Sequence, residues 1–286
     1  MQQNDKQKIR FTKMHGLGND FVMVDGVTNN VQLSKEIVAG LAHRQFGIGF
    51  DQLLLVEPPA KPDLDFNYRI FNVDGGEVEH CGNGARCFAA YVYDQGLSTN
   101  NPLSVGTVNR TLSLHTLSNG EVTVDMGIPD TKPQNLPFVA QEETQTYQRR
   151  LVVANETVDV EFGAISMGNP HAVIKVADLD NTAVKEIGEA LGAHPDFPEG
   201  VNVGFMEILD RAHIKLRVFE RGTGETLACG TGACAAVVTG QIRGLLDENV
   251  NVQLPGGQLN IQWKEANTSV LMTGPVSKVY EGTIEL

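Results

Sequence analysis

One nineteen-residue segment occurs twice in the chain, and this repeat constrains the fold more than any other feature of the sequence. The first copy, RIFNVDGGEVEHCGNGARC, runs from Arg69 to Cys87, and the second, RVFERGTGETLACGTGACA, runs from Arg217 to Ala235. Without any gap, eight of the nineteen positions are identical. The identical pairs are Arg69/Arg217, Phe71/Phe219, Gly76/Gly224, Glu77/Glu225, Cys81/Cys229, Gly82/Gly230, Gly84/Gly232 and Ala85/Ala233. This agreement indicates an internal duplication.

A second pair of segments supports the duplication. GLGNDF and SMGNPH align with Gly18 opposite Gly168 and Asn19 opposite Asn169, at nearly the same spacing as the longer repeat. A length of 286 residues favours two domains, and 41% hydrophobic residues can give each domain a core. The duplication therefore predicts a domain boundary near the middle of the chain.

Charge and composition narrow the class of ligand. The chain has 35 acidic and 22 basic side chains, so its net charge of -13 argues against nucleic acid or an anionic membrane as the main partner. A small molecule is the favoured ligand. The first residues, MQQNDKQKIRF, do not resemble a secretory signal, and no apolar run is long enough to span a bilayer. We therefore expect a cytoplasmic protein whose four cysteines are reduced, catalytic or metal-bound.

Strands dominate the predicted secondary structure. Ser34 can cap a short helix, a second helix is predicted from Asp180 to Gly192, and the Asn119-Gly120 pair indicates a type I′ hairpin. Much of the sheet should be antiparallel or mixed. Alternation of apolar and polar residues predicts strands at KIRFTKM, DFNYRIFNV, RTLSLHTL, EVTVDMG, TVDVEFGAIS, HAVIKVA, HIKLRVFE and GQLNIQW.

Each repeat also predicts a helix that begins just after its cysteine. Cys81 precedes Gly-Asn-Gly and a helical run closed by Gly96, and Cys229 precedes Gly-Thr-Gly and a run closed by Gly244. Glycines at a helix start allow a ligand to approach the backbone, and the first-turn amides favour an anion. The same field is expected to lower the pKa of a nearby thiol.

Two such cysteines indicate a particular chemistry if the two halves face each other. A carboxylate would bind at the helix starts, and the thiols would lie on opposite sides of the carbon next to it. Inversion of that carbon needs one group to remove a proton and another to deliver a proton to the opposite face. Paired helix starts would stabilise the charge that develops on the carboxylate. The pattern therefore predicts racemisation or epimerisation without a carbonyl cofactor.

The motifs also resemble those of the diaminopimelate epimerase family over nearly the whole chain. They are MHGLGNDFVMVD, FGIGFDQLLLVE, RIFNVDGGEVEHCGNGARC, GNPHAV, EGVNVGF, FERGTGETLACGTGACA and GPVSKVYEGTI. The resemblance implies interconversion of LL- and meso-diaminopimelate, for lysine and peptidoglycan precursors, without pyridoxal phosphate, metal or nucleotide. It also implies a homodimer and an α+β fold of two pseudo-symmetric domains, each a mixed sheet around a central helix. The expected domains are residues 1–127 with 275–286, and residues 128–274.

The resemblance also assigns roles to individual residues. Cys81 and Cys229 would be the acid/base thiols, His171 and Glu220 would modulate their pKa values, and Tyr280 would contact the second protomer. The remaining assigned residues would bind substrate. The amides of Gly82, Asn83, Gly230 and Thr231 would hold the reacting carboxylate; Asn19, Gln52 and Glu220 would contact the reacting amino group; Asn72, Asn169, Asn202 and Arg221 would read the distal centre.

The sequence also allows other interpretations of its cysteines, its paired arginines and its substrate. Cys87 and Cys234 occupy non-equivalent positions inside the two helices, which favours core packing. Arg69 and Arg217 occupy equivalent positions of the repeat, which suggests structural ion pairs with Glu77 and Glu225. The cysteines could instead form a metal site or a redox sensor, although their spacing differs from that of zinc knuckles. A proline or hydroxyproline racemase would use a similar cysteine pair and is the nearest alternative enzyme.

Overall fold

The computed structural model describes residues 8–78 and 82–286, so Cys81 lies outside the described residues. The chain divides into two compact units. Unit 1 is Met1–Val124 together with Gly274–Leu286, and unit 2 is Asp125–Thr273. These limits differ by at most three residues from the domain boundaries expected from the sequence.

Unit 1 is a mixed sheet with a short helix and a longer central helix. Its elements are β1 (Lys8–Gly16), β2 (Asn19–Asp25), α1 (Lys35–Ala42), β3 (Gln52–Glu57), β4 (Phe66–Asn72), β5 (Glu77–Val78), α2 (Gly82–Asp94), β6 (Leu103–Gly106), β7 (Thr111–Thr116) and β8 (Val122–Asp125). The last strand of the chain, β18 (Ser277–Glu285), pairs antiparallel with β1. Strand β2 is parallel to β3, and β4 is parallel to β6, whereas β1/β2, β3/β4, β4/β5, β6/β7 and β7/β8 are antiparallel.

Unit 2 repeats this plan after one additional strand. Its elements are a 3-10 turn (Pro133–Asn135), β9 (Tyr147–Val153), β10 (Glu156–Ser166), β11 (Pro170–Val176), α3 (Val184–Gly192), β12 (Asn202–Asp210), β13 (His213–Glu220), β14 (Gly224–Thr226), α4 (Gly230–Ile242), β15 (Asn249–Leu254), β16 (Gly257–Gln262) and β17 (Leu271–Gly274). Strand β11 is parallel to β12 and β13 to β15; the pairs β9/β10, β10/β11, β12/β13, β13/β14, β15/β16 and β16/β17 are antiparallel.

The strand registers match between the two units. Phe21 pairs with Gln52 where β2 runs parallel to β3, and His171 pairs with Asn202 where β11 runs parallel to β12. Both pairs are related by the 150-residue spacing that aligns Gly18 with Gly168. The order of elements from β1 to β8 is likewise that from β10 to β17. The internal duplication is therefore visible in the fold, and the expected α+β class with mixed sheets is confirmed.

The central helices α2 and α4 form because they are buried on most sides. In α2, the Phe88 ring packs against Tyr68, with ring centroids 4.9 Å apart. Helix α4 is almost entirely small or apolar, and every residue from Gly232 to Gly240 is buried. Helices that are apolar on all faces are typical of an interior. Close packing against α4 requires Gly163, because a Cβ there would lie 2.3 Å from the methyl carbon of Thr239.

Several local predictions hold. Helix α1 has Ser34 as its N-cap, and the Ser34 side chain accepts a hydrogen bond from the Ile37 amide. Cys87 and Cys234 are fully buried inside α2 and α4, as expected for packing residues. The predicted ion pairs are also present. Arg69 bonds both carboxylate oxygens of Glu77 at 2.9 and 2.8 Å, and Arg217 bonds those of Glu225 at 2.6 and 2.8 Å.

Two local predictions were wrong. Helix α3 starts at Val184 rather than Asp180, because the Asp178 carboxylate accepts the backbone N–H groups of Asp180 and Asn181 and holds a turn there. The Asn119-Gly120 hairpin is not type I′, which needs positive φ at both central residues. Only Gly120 of this pair has positive φ, and its amide bonds the carbonyl of Leu117.

Within the described part of the chain, no helix has the length and apolar character needed to cross a membrane.

Candidate functional site

In unit 1, the predicted substrate-binding residues lie at one edge of the sheet. Asn19 begins β2 and Gln52 begins β3, which are parallel, and Asn72 ends β4, which is antiparallel to β3. These positions place all three at the same end of neighbouring strands. The Gln52 amide donates a hydrogen bond of 2.9 Å to the side-chain oxygen of Asn72. The structure therefore brings Gln52 and Asn72 into direct contact.

The start of α2 lies beside this edge. Helix α2 begins at Gly82, and both Gly82 and Asn83 are buried. The Asn83 side chain donates a hydrogen bond of 3.3 Å to Oδ1 of Asn19. Amides in the first turn of a helix have no partner within the helix, so this end favours an anion. Cys81, the preceding residue, lies outside the described residues.

Unit 2 places the equivalent residues in the same pattern. Asn169 directly precedes β11, Asn202 begins β12, and Glu220 ends β13. Cys229 is the N-cap of α4, in an extended conformation with φ -121° and ψ 106°, and it is followed by the first-turn residues Gly230 and Thr231. The predicted positions of Gly230 and Thr231 at a helix start are therefore observed, and their amides belong to the anion-favouring end of α4.

The environment of Cys229 favours the neutral thiol. Burial raises the pKa of Cys229 well above its ordinary value, and the negative charge of Glu220 raises it further. The Thr231 hydroxyl, 3.6 Å from the sulfur, and the Gly232 amide lower it by less. The helix-start amide of Gly232 thus lowers the thiol pKa as expected, but desolvation and a neighbouring carboxylate outweigh it, so the net shift of the Cys229 pKa is upward.

Glu220 is itself perturbed by its surroundings. Burial raises the pKa of its carboxyl, and hydrogen bonds from the Thr226 hydroxyl and the Cys229 thiol partly oppose this effect. Glu220 and Cys229 therefore affect each other's pKa: the carboxylate charge raises the pKa of the thiol, and the thiol lowers that of the carboxyl.

His171 reaches the same helix start through Asn169. Its Nε2 atom lies 3.0 Å from Oδ1 of Asn169, and the Asn169 amide donates to the Thr231 hydroxyl at 3.4 Å. An amide oxygen can only accept, so Nε2 carries the proton in this contact. Burial, together with the nearby charge of Arg221, lowers the pKa of His171 to about 3. His171 is therefore a neutral imidazole, linked to Cys229 by way of Asn169 and Thr231.

Arg221 is anchored by its backbone and by one guanidinium nitrogen. Its amide donates to Oδ1 of Asn202 at 3.0 Å, and its Nη1 donates to the Glu199 carbonyl at 2.8 Å. Asn202 is buried and also donates to the Pro170 carbonyl at 3.0 Å. Gly200, with φ +72°, lies under the Arg221 stem, where a Cβ would be 3.0 Å from Cδ. Arg221 is an exposed residue, and a guanidinium has more N–H donors than this one bond uses.

Tyr280 lies on β18 of unit 1. It is 45% exposed, and its ring contacts Phe11 edge-on with centroids 5.9 Å apart.

Sequence reasoning missed other residues that contact predicted site residues. Asp51 accepts a hydrogen bond from Asn19, Arg44 bonds Asp51, and Thr226 bonds Glu220. Asp51 belongs to the motif FGIGFDQLLLVE and Arg44 lies two residues before it, but nothing in their spacing indicates an interaction.

In residues 8–78 and 82–286, no group of three or more His, Cys, Asp or Glu side chains could hold a metal ion.

A family model for diaminopimelate epimerase matches residues 11–132 and 163–279. The match covers most of the chain and includes both helix starts, so the chain belongs to the diaminopimelate epimerase family. It is thus an enzyme of an epimerase and isomerase superfamily.

Solved structures with the same fold carry several activities in their names. A hydroxyproline epimerase from Agrobacterium vitis has a TM-score of 0.68 at 15% identity, covering 100% of this chain and 94% of its own. A phenazine biosynthesis protein of the PhzF family from Bacillus anthracis has a TM-score of 0.66 at 17% identity, covering 97% and 99%. A methylitaconate-delta-isomerase has a TM-score of 0.61 at 12% identity, covering 99% and 96%. At these identities the likeness shows the fold alone.

The charge of Glu220 can be tested without any substrate. We expect the alkylation rate of Cys229, followed by mass spectrometry across a pH series, to rise with a midpoint above the ordinary thiol value of about 8.5. Replacement of Glu220 by Gln removes the adjacent negative charge and should move that midpoint to lower pH.

Glu225→Gln is the matched control, since Glu225 bonds Arg217 and its change should leave the midpoint in place. A Cys229 midpoint below about 8.5 in the unmodified protein, or one that Glu220→Gln does not move, would contradict this electrostatic account.

Proposed function

We propose that the protein epimerises LL-2,6-diaminopimelate to meso-diaminopimelate without a cofactor, with Cys81 and Cys229 as the two acid/base groups. The observation that carries this proposal is an unequal pair of residues at equivalent positions of the repeat. Unit 2 has the exposed Arg221, whereas the equivalent position of unit 1 is Val73. A substrate that carries a second charged group away from the reacting carbon would explain why only one copy of the repeat has a cation at this position.

The reacting carbon is proposed to lie at the helix starts, where both copies of the repeat supply a cysteine and first-turn amides. Each repeat has a cysteine followed by a helix start, and first-turn amides stabilise the negative charge that enters a carboxylate as the α-proton leaves. Cys229 is held as a thiol by burial and by Glu220, so it is suited to deliver a proton. The opposite role at the start of the forward reaction is then assigned to the thiolate of Cys81.

The direction of proton movement follows from these assignments. The Cys81 thiolate removes the α-proton from one face of the LL isomer, and the Cys229 thiol donates its proton to the other face. The reverse reaction exchanges the two roles, so both cysteines must exist in either protonation state during turnover. Glu220 would then limit the lifetime of the Cys229 thiolate, because the two negative charges repel each other.

The distal centre is proposed to bind at Arg221 together with Asn72, Asn169 and Asn202. A guanidinium forms paired hydrogen bonds with a carboxylate, and its fixed plane also selects orientation. Asn202 already bonds the Arg221 amide, so it fixes the backbone from which this side chain extends. A proline-type substrate has no second carboxylate and would leave Arg221 without a ligand.

Proton NMR in D2O tests the reaction. With the reduced, metal-free protein and LL-diaminopimelate, we expect loss of the α-proton signal together with formation of the meso isomer. Cys81→Ala and Cys229→Ala should each reduce conversion by at least about a hundredfold, because one face loses its acid/base group.

Cys87→Ala is the control, since Cys87 is a buried packing residue and its variant should retain conversion once it is shown to be folded. Near-normal conversion by either catalytic variant would refute the two-base proposal. Activity on proline or hydroxyproline, with none on diaminopimelate, would instead indicate a proline or hydroxyproline racemase.

Replacement of Arg221 tests the substrate class. Arg221→Ala should raise the KM for diaminopimelate by about tenfold to a hundredfold and change kcat less, because a charged hydrogen-bonded pair to the distal carboxylate is lost. Arg211→Ala is the control, as Arg211 pairs with Asp247 on the surface. An unchanged KM in Arg221→Ala would remove the basis for preferring a two-centre substrate.

We also propose that the protein forms a homodimer through β18. This strand has five consecutive exposed residues from its start, including Val279 at 55% and Tyr280 at 45% exposure. Exposed apolar residues on a strand at the surface favour contact with another chain. The edge-on contact with Phe11 would hold the Tyr280 ring in position on this surface.

Sedimentation of the Tyr280→Asp variant tests the dimer. The unmodified protein should sediment as a dimer, and the variant should shift towards monomer at the same concentration because a buried charge lacks a partner. Val152→Asp, at an equally apolar and more exposed position of unit 2, should remain dimeric. A monomeric unmodified protein, or an unchanged dimer in Tyr280→Asp, would contradict the proposed interface.

A further inference from the structure

We propose that Asp51 is a positioning residue that fixes the orientation of the Asn19 carboxamide, with Arg44 and Asp20 holding Asp51 in place. The inference rests on the proposed function in one respect, namely that Asn19 contacts the reacting amino group. Its structural part, the fixed orientation of a single side-chain amide, can be measured without any substrate.

The contacts of Asp51 explain why it can act in this way. Its Oδ2 accepts hydrogen bonds from Nδ2 of Asn19 at 3.0 Å and from the Asp20 amide at 3.1 Å. Its Oδ1 accepts from Nη2 of Arg44 at 2.8 Å. Both carboxylate oxygens are therefore occupied, one by the site residue and one by a cation that holds the carboxylate in place.

Asp20 makes this arrangement rigid. Its carboxylate accepts hydrogen bonds from two nitrogens of Arg44, at 2.9 and 3.1 Å, and from Nζ of Lys13 at 2.6 Å. Burial acts to raise the pKa of Asp20, but the bonds from Arg44 and Lys13 outweigh it and lower the pKa to about 2. The Asp51 amide also donates to Oδ1 of Asp20 at 2.9 Å. The two carboxylates and their shared Arg44 form a network in which each position depends on the others.

The network decides which way the Asn19 amide faces. A carboxylate only accepts hydrogen bonds, so Asn19 must direct its Nδ2 towards Asp51. Its Oδ1 is then directed to the Asn83 side chain, near the start of α2. A reversed amide would place two oxygens against each other at Asp51 and two donors against each other at Asn83. Both contacts therefore favour the same orientation.

The equivalent residue of unit 2 has the opposite orientation. Asn169 directs its Nδ2 to Thr231, the counterpart of Asn83, and directs Oδ1 to His171. Unit 2 has no counterpart of the carboxylates, since the 150-residue spacing places Pro170 at the position of Asp20 and Val201 at that of Asp51. The duplicated Asn is thus held with its acceptor towards the helix start in unit 1 and its donor towards the helix start in unit 2.

This difference matters for an amino group at the reacting centre. A substrate ammonium can only donate hydrogen bonds, so it needs an acceptor. Asn19 directs an acceptor, Oδ1, towards the helix start as long as Asp51 holds Nδ2 away. Loss of Asp51 would allow the amide to turn, and an N–H group facing the ammonium would repel it. Asp51 is therefore expected to act on the reaction only through Asn19.

The orientation is tested by NMR of the side-chain amide of Asn19 in protein labelled with ¹⁵N asparagine. The Asn19 signal is assigned by its loss in Asn19→Ala. We expect slow exchange of these amide protons with solvent in the unmodified protein, and faster exchange with a changed chemical shift in Asp51→Ala. Asp51→Asn, which keeps the side-chain volume but can donate as well as accept, should show the same changes to a smaller extent.

A double-mutant cycle tests whether Asp51 acts through Asn19. Asp51→Ala should reduce kcat/KM by about tenfold or more, as expected for loss of a charged hydrogen bond. In the Asn19→Ala background the same change should cost less than about twofold, because residues that act through one another are not additive. The control is Asp247→Ala, which removes a similarly exposed carboxylate paired with Arg211 and should leave kcat/KM unchanged.

The outcomes separate this inference from the proposed function. If Asp51→Ala lowers kcat/KM equally in the unmodified protein and in Asn19→Ala, Asp51 has only a general structural role. That result would overturn the inference. So would an Asn19 amide signal that Asp51→Ala does not change. If the unmodified protein does not turn over diaminopimelate, the proposed substrate fails, and the amide signal alone then decides whether Asp51 orients Asn19.

Discussion

The burial of a small-residue helix inside the sheet is the constraint on which the unit 2 site depends. Helix α4 can pack on nearly all its faces only because its residues are small and because Gly163 leaves space for Thr239. Dense packing of this kind fixes the first turn of the helix, and with it the backbone amides and the thiol of Cys229. A site that must stabilise a developing charge benefits from such rigidity, since the donors need not reorganise during the reaction.

Burial also determines the electrostatics of this site. A thiol at a helix start in water would ionise more easily, yet Cys229 is desolvated and lies beside Glu220, so its neutral form is favoured. The neutral His171 adds no positive charge to oppose this effect. In the proposed reaction, a proton held on Cys229 would be an advantage at the first step. The counterparts of Glu220 and Arg221 in the first repeat are the uncharged Asn72 and Val73, so the duplication preserved the fold and diverged in charge.

The repeat made much of the fold predictable. Two copies of one motif identified the duplication, and period-two alternation located strands that the structure contains, such as β10 and β13. The twin arginines also indicated their ion pairs with Glu77 and Glu225 correctly. Predictions that depended on a single local signal were weaker. The Asp178 carboxylate delays the start of α3, because a side chain that bonds nearby amides competes with helix formation.

Parts of the site could not be predicted from the sequence because they depend on contacts between distant residues. Asp51 meets Asn19 across 32 positions, and Arg44 meets Asp20 across 24. The raised pKa of Cys229 also comes from tertiary burial, which a helix-start motif does not reveal. Sequence patterns indicated which residues lie at the helix starts and strand ends, whereas the direction of a pKa shift and the orientation of an amide required the packed structure.

The position of solvent deuterium in early product tests the central claim most directly. In D2O, LL-diaminopimelate should form meso product that carries deuterium at the inverted carbon, while the remaining substrate keeps its proton, because separate thiols remove and deliver the two protons. Early meso product that retains the original substrate proton would show that a single group transfers it between the faces. That result would contradict a reaction built on one thiol from each copy of the repeat.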